Sequence, residues 1–202
     1  MEHFAKMVGQ NTSNKSVSPR THMRAVYEYI VLASQTDSGH TLVDVADVVA
    51  LIANIPDSQL SGSSFVSAQF GYSQSRLHTQ PNDDGNGGVG AWRPQTNTVG
   101  EYIQADFGQT RRIHSVATQG RVNSGQRVTS YKLAYSTDGA TYAYVANADG
   151  SDRVFGGNSN PSGVVQHNFD VLDARFVRLY PQTSDGGAMA MRWEVYRFID
   201  SG

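Results

Sequence analysis

The order of apolar and polar positions changes character along this chain. Between Ile103 and Tyr144, apolar side chains alternate with polar ones, first around Phe107 and again around Leu133, before the turn dipeptide Asp138-Gly139. A period of two residues that is broken by turns is typical of antiparallel β-strands. From about residue 60 onward, the sequence therefore predicts an all-β sandwich of about eight strands that are joined by glycine-rich loops.

The N-terminal part follows a different pattern. Residues 1–20 are polar and predict a flexible segment. Apolar side chains then recur at helical spacing near Val26, and a second apolar run extends from about Leu42 to Asn54. We therefore expect a short α-helical extension of two helices over residues 21–54, followed by a β-domain over residues 55–199. The two helices are also our candidate for a homo-oligomer contact.

Composition and charge exclude several classes of partner. The 202 residues have 39% hydrophobic content, which suffices for one good core. The formal net charge is −2 and the 16 Lys and Arg residues are scattered, so we expect no nucleic acid partner. No stretch has the length and apolarity of a transmembrane segment, and the N-terminus lacks the pattern of a signal peptide. With no cysteine, this favours a cytoplasmic or non-classically secreted protein, with an extracellular location as the alternative.

Catalytic patterns are missing from the sequence. It has no G-x-S-x-G or H-E-x-x-H motif, and the lack of cysteine excludes thiol chemistry. We therefore expect a protein that is not an enzyme and that requires no cofactor.

Several short segments carry a family resemblance. They are IPDSQLSGSSF (Ile55–Phe65), GAWRP (Gly90–Pro94), GNSNP ending at Pro161, RFVRLYPQT (Arg175–Thr183) and MRWEVY (Met191–Tyr196). In this order they resemble the discoidin domain, also called the coagulation-factor-type C domain, and the wording is most similar to the slime-mould discoidins. The resemblance implies a discoidin-type jelly-roll β-sandwich of the galactose-binding-like kind, in which three loops at one end hold the ligand.

The same resemblance indicates which residues would bind. Aromatic side chains offer a stacking face, and arginine and amide groups make paired hydrogen bonds to neighbouring hydroxyls. The predicted ligand-binding residues are Phe70, Tyr72, Arg76, His78, Arg121, Asn123, Gln126, Thr183, Ser184 and Asp185. For Phe70 or Tyr72 the alternative is packing into the rim of the barrel, for Arg121 a salt bridge that rigidifies the turn, and for His78 a structural role.

A structural calcium site is a further expectation. Asp83 and Asp84 lie in a glycine-rich loop, and Glu194 matches a glutamate that holds calcium in bacterial carbohydrate-binding relatives. The alternative is that Asp84-Gly85 is an ordinary turn and that Glu194 accepts hydrogen bonds from buried backbone donors.

The functional hypothesis is a non-catalytic recognition or adhesion module. Its partner would be a glycan or glycoprotein surface, bound as a lectin binds galactose-type sugars. Two alternatives remain open at this point: an intracellular protein–protein interaction module in a larger assembly, and an extracellular domain that binds collagen or phospholipid.

Overall fold

The computed structural model describes residues 29–31, 45–83 and 85–199, and these residues form nine β-strands. The strands are β1 (Tyr29–Val31), β2 (Val45–Ala50), β3 (Leu60–Gly62), β4 (Ile103–Gln119), β5 (Arg127–Ser136), β6 (Ala143–Tyr144), β7 (Val154–Gly156), β8 (Val165–Asp185) and β9 (Arg192–Phe198). Short 3-10 helices occupy Ile52–Asn54, Asp57–Gln59, Ala68–Phe70 and Tyr72–Ser75. Neighbouring strands pair in antiparallel fashion in the order β1-β2-β9-β4-β8-β5-β6, with β3 on β4 and β7 on β5. The all-β prediction is confirmed.

The two longest strands belong to both layers of the sandwich. The first part of β4 pairs with β3 and the last part of β8, whereas its second part pairs with β9 and the first part of β8. A register shift between Asp106 and Arg111 separates the two parts of β4. Such an irregularity bends a strand, so the continuous sheet folds over onto itself.

The core lies between these layers and follows the predicted alternation. Ile103, Ala105 and Phe107 are buried on β4, and Tyr131 and Leu133 are buried on β5. Polar residues between them face outward, as expected for a sheet with one side on the core. Trp92 and Trp193 are the largest of the fully buried side chains.

The N-terminal extension departs from the helical prediction. Val45–Ala50 is strand β2, and among the described residues of the predicted second helix, 45–54, only Ile52–Asn54 is helical, as a 3-10 turn. Tyr29–Val31, at the end of the first predicted helix, is strand β1. The physical reason is that β2 hydrogen-bonds along β9, so a long-range partner and β-branched valines outweigh the helical spacing. Residues 1–28 and 32–44, and with them the rest of the predicted flexible segment and helices, lie outside the described residues.

In the parts of the chain that the structure describes, no helix is both long enough and apolar enough to cross a membrane.

Candidate functional site

Strand register brings the predicted binding loops to one end of the sandwich. β4 and β9 meet through Gln119 and Arg192, and β5 and β8 meet through Arg127 and Asp185. The loops that follow β4 and β8 therefore lie side by side, and each begins where the other ends. We call the surface formed by residues 65–72, 120–126 and 184–189 the loop face.

Phe70 and Arg121 join the first two loops. The guanidinium carbon of Arg121 lies 5.0 Å from the centroid of the half-buried Phe70 ring, and that of Arg93 lies 5.9 Å from it. Arg121 also donates from Nη1 to Oε1 of Gln126 at 2.9 Å. A cation over an aromatic ring is attractive, so these contacts hold the two loops together. The predicted aromatic face is thus bordered by two guanidinium groups.

Three arginines at this end each carry a buried N–H donor that has no partner among the described residues. The Nε atoms of Arg93, Arg121 and Arg127 are buried and make no hydrogen bond to any described residue. Buried N–H groups are nearly always paired, with protein or with water. These three atoms are therefore candidates to donate to bound water.

The second loop presents an exposed amide at its tip. Asn123 is exposed and has a φ of 55°, a left-handed conformation that asparagine tolerates better than most residues. The loop closes beneath it, because the N–H of Arg121 donates to the carbonyl of Gln126 at 2.9 Å. Gln126 is therefore a support of the loop, and Asn123 is its outward-facing polar group.

The residues predicted on the third loop have mixed roles. The hydroxyl of Thr183 lies 2.7 and 2.6 Å from two hydroxyls of β5, and Asp185 forms an ion pair with Arg127. The Ser184 hydroxyl bonds to no residue that the structure describes. Gly186, with a φ of +71°, lies against the second loop so closely that a Cβ would collide with the Gly125 carbonyl. This loop therefore contributes shape and support more than free donors.

Tyr72 and Arg76 are bound within the protein. Tyr72 packs on the core, donates its hydroxyl to the carbonyl of Gly62 at 3.0 Å, and has a pKa raised mainly by burial. Arg76 is 8% exposed, forms a 2.7 Å ion pair with Asp57, and donates to the carbonyl of Ile55 at 2.7 Å. Both side chains occupy the structural roles that compete with ligand binding.

His78 lies at the edge of the loop face. It is exposed, has a φ of 67°, and donates its backbone N–H to Oε1 of Gln119 at 2.9 Å. Its backbone thereby fixes the first residues of the 78–92 loop against the end of β4.

A buried arginine forms the base of the site. Arg192 is 1% exposed and donates to three carbonyls in three separate loops: Gly120 at 2.8 Å, Thr79 at 3.1 Å and Pro161 at 3.1 Å. Burial lowers the pKa of this guanidinium. Hydrogen bonds from a charged donor are the strong kind, so Arg192 fixes the loops relative to one another.

The calcium prediction finds little support in the geometry. Glu194 is 2% exposed, and its carboxylate accepts the N–H groups of Ile52 at 2.5 Å, Ala53 at 2.9 Å and Val195 at 2.9 Å. Burial raises its pKa to about 7. Glu194 thus accepts hydrogen bonds from buried backbone donors, as the alternative interpretation expects. Its carboxylate oxygens could coordinate calcium only if these hydrogen bonds were given up.

The remaining predicted ligands add no metal cluster. Asp83 is exposed and accepts the N–H of Gln80 at 2.6 Å, and Asp84 lies outside the described residues. Within residues 45–83 and 85–199, no group of three or more histidine, aspartate or glutamate side chains is placed to hold a metal. The calcium site stays a prediction.

Four further residues at this end were not predicted from the sequence. Phe65 and Val66 are 42% and 40% exposed, and Arg93 lies beside Phe70. Asn97 donates to the carbonyl of Gly187 at 3.1 Å and so connects a fourth loop to the third. The available signal was an apolar pair inside a serine-rich stretch, SSFVS, which no alternating pattern assigns to the core.

The β-sandwich and its loops are also the part of the chain that matches a known family. Residues 59–195 match the family model of the F5/8 type C domain. The chain belongs to this family. Its discoidin resemblance is therefore confirmed, and the family assignment covers the sandwich together with every loop of the loop face.

Two curated relatives are much longer proteins. The chain is 35% identical over 132 residues to hemocytin of Bombyx mori, and 36% identical over 148 residues to coagulation factor VIII of Canis lupus familiaris. These matches cover 64% and 70% of this chain but only 4% and 6% of the relatives. The chain thus corresponds to one module of those proteins.

Solved structures share the fold. Discoidin II of Dictyostelium discoideum superposes with a TM-score of 0.63 and 27% identity, over 74% of this chain and 57% of that one. The family 32 carbohydrate-binding module of C. perfringens NanJ, which was solved with galactose, has a TM-score of 0.54 and 18% identity, over 74% of this chain and 99% of that one. At that identity, the second likeness concerns the fold alone.

Proposed function

We propose that this F5/8 type C domain is a non-catalytic recognition module that binds carbohydrate through its loop face. The observation that carries the proposal is the pairing of Phe70 with Arg121, at the start of a loop that exposes the amide of Asn123. Guanidinium and amide donors suit vicinal hydroxyls, because each makes hydrogen bonds to neighbouring oxygens in a fixed geometry.

Pre-organisation of the loops supports the same function. Arg192 joins three loops from below, and Asn97 joins a fourth, so little ordering is needed when a ligand binds. Discoidin II and the galactose-bound NanJ module share this fold, which makes galactose the first sugar to test. A shallow site of this kind binds a single sugar weakly, so physiological binding would draw on several copies.

The experiment is a glycan array that compares the wild-type protein with Arg121→Ala and Asn123→Ala. Arg112→Ala serves as the matched control. Arg112 is exposed, and it lies on β4 opposite Asp173 of β8, away from the loop face. We expect binding to galactose-terminated glycans that both loop variants reduce at least tenfold and that the control retains. Equal binding by all four proteins would remove the loop face from consideration.

A second candidate, binding to an anionic phospholipid surface, is favoured by one observation. Phe65 and Val66 are adjacent exposed apolar residues, and the N–H of Val66 donates to the carbonyl of Arg93 at 3.1 Å. Apolar tips with a basic neighbour suit a headgroup interface. Sedimentation with vesicles of phosphatidylcholine, with and without phosphatidylserine, tests this candidate. Binding that requires phosphatidylserine and is lost in a Phe65→Ser variant would favour lipid, whereas binding on the array alone would favour sugar.

A further inference from the structure

A cleft lies on the open edge of the sandwich, away from the loop face. Its volume is about 660 Å³, and it separates the β6 side of one layer from the first part of β8 in the other. The residues that line it and that carry the chemistry are Tyr135, Tyr144, Asn147, Arg153, Phe169 and Asp170. Clefts of about 300–1,000 Å³ are the usual size for small-ligand sites.

The floor and side of this edge cleft are aromatic. Tyr135 and Phe169 are half-buried and pack against the hydrophobic core, so the fold holds their rings in place. Tyr144 is 37% exposed and stands at the margin of the cleft. Aromatic rings that are held in place and partly exposed are suited to the C–H face of a sugar ring.

The polar groups of the edge cleft are held in place, and their hydrogen-bonding capacity is only partly occupied by the protein. The guanidinium carbon of Arg153 lies 4.4 Å from the centroid of the Phe155 ring, and Nη1 donates to the carbonyl of Asn168 at 3.2 Å, which leaves most of its five N–H donors. Asn147 is fixed by a 3.0 Å hydrogen bond from its amide to Ser151. Asp170 is exposed and makes no hydrogen bond or ion pair with any described side chain.

We infer that this edge cleft is a second carbohydrate site, which takes a neutral sugar unit. One cation, one anion and the two amides of Asn147 and Asn168 give both donors and acceptors without a net charge, so hydroxyl groups match the lining better than a phosphate, a sulfate or an ammonium group does. The inference extends the proposed function to a second surface and takes the same class of ligand.

The two sites are far apart on a rigid frame. Tyr135 lies eight positions after Arg127 on β5, and a strand rises about 3.3 Å per residue, so the edge cleft lies about 26 Å from the loop face. A sugar chain bound at one site therefore leaves the other free. A single copy of the domain would then bridge two glycans, and this bivalence raises avidity without any oligomer.

The test is an NMR titration of the ¹⁵N-labelled protein with galactose, N-acetylgalactosamine, glucose and chitotriose. We expect at least one of these sugars to shift the amide signals of residues 144–148 and 168–172. Asp170→Ala should weaken that binding about tenfold or more, as expected for loss of a hydrogen bond to a charged group. Asp173→Ala is the matched control, because it removes an exposed carboxylate from the same strand outside the cleft.

The outcomes separate this inference from the proposed function. Cleft signals that still shift in Arg121→Ala and fail to shift in Asp170→Ala would establish an independent second site. Shifts confined to the loop face, or an equal response of Asp170→Ala and Asp173→Ala, would overturn the edge cleft and leave the loop face intact. If no sugar shifts either region, both are wrong.

Discussion

Replacement of Arg192 by methionine is the strongest single test of how the loop face is built. The guanidinium is buried and donates to the carbonyls of Thr79, Gly120 and Pro161. Methionine keeps much of the apolar stem but removes all three donors. The carbonyls of three loops would then lose their shared partner, while the strand that carries residue 192 keeps its own ladder.

The expected loss of stability is moderate because two effects oppose each other. Hydrogen bonds to a charged group contribute about 1.5–3 kcal/mol each, so the gross loss over three bonds is about 5–9 kcal/mol. Removing a buried charge also removes its desolvation cost, which amounts to several kcal/mol. We expect a net decrease of about 2–4 kcal/mol in the free energy of unfolding, or a Tm lower by about 5–15 °C for a chain of this size.

Urea unfolding of Arg192→Met and of the control Arg112→Met measures this difference. Arg112 is exposed, and we expect its replacement to change stability by no more than about 0.5 kcal/mol. Hydrogen exchange should report faster amides in residues 79–90, 120–126 and 157–163 of Arg192→Met, with the strands unaffected. Equal stability of the two variants would refute the role of Arg192 as the link between these loops.

Three further predictions concern polar groups that are buried or half-buried. His114 is 4% exposed and stacks on Phe198, and burial lowers its pKa, so the unfolded chain takes up a proton more readily than the folded chain as pH falls through about 6.5. Stability should therefore fall less from pH 7 to pH 5 in His114→Gln than in the wild type, and parallel pH dependences of the two in urea unfolding would contradict this. The raised pKa of Glu194, about 7 against an ordinary 4.5, acts in the opposite direction, because the folded state keeps a proton that the unfolded chain releases; the deficit of Glu194→Gln in urea unfolding should therefore shrink as pH rises from 4.5 to 7, and a constant deficit would argue against it. Tyr72→Phe should cost about 1 kcal/mol in thermal unfolding by losing the bond to Gly62 and should leave glycan binding unchanged; lost binding would give the hydroxyl a ligand contact.

The sheet could be predicted from the sequence, but the N-terminal extension could not. Around Phe107 and Leu133, period-two alternation reports directly which side of a strand faces the core. The run Val45–Ala50 has no comparable alternation, and a short apolar stretch is compatible with a buried strand as well as with a helix. Its state depends on pairing with β9, almost 150 residues later, and no local pattern encodes that contact.

The position of the loop face could be predicted from the sequence, but the contacts within it could not. The family resemblance identified Phe70, Arg121 and Asn123, which the structure brings to one end. It did not reveal that Arg76 is buried in an ion pair, or that Arg192 supports the loops, because arginine is mostly an exposed residue. Such roles depend on which carbonyls lack partners in the folded chain, and this is a property of the tertiary structure.

The pairing of β2 with β9 also has a mechanical consequence. Val48 lies opposite Phe198, and Ala50 lies opposite Tyr196, so the start of β2 and the end of β9 lie at the same end of this strand pair. Tension between these ends would break the β2–β9 hydrogen bonds one after another instead of shearing them together. Beyond β2, the pull would meet the carboxylate of Glu194, which holds the 3-10 turn after the strand. Under load, the domain should yield first as a short, reversible extension, while the distant loops remain folded around their ligand.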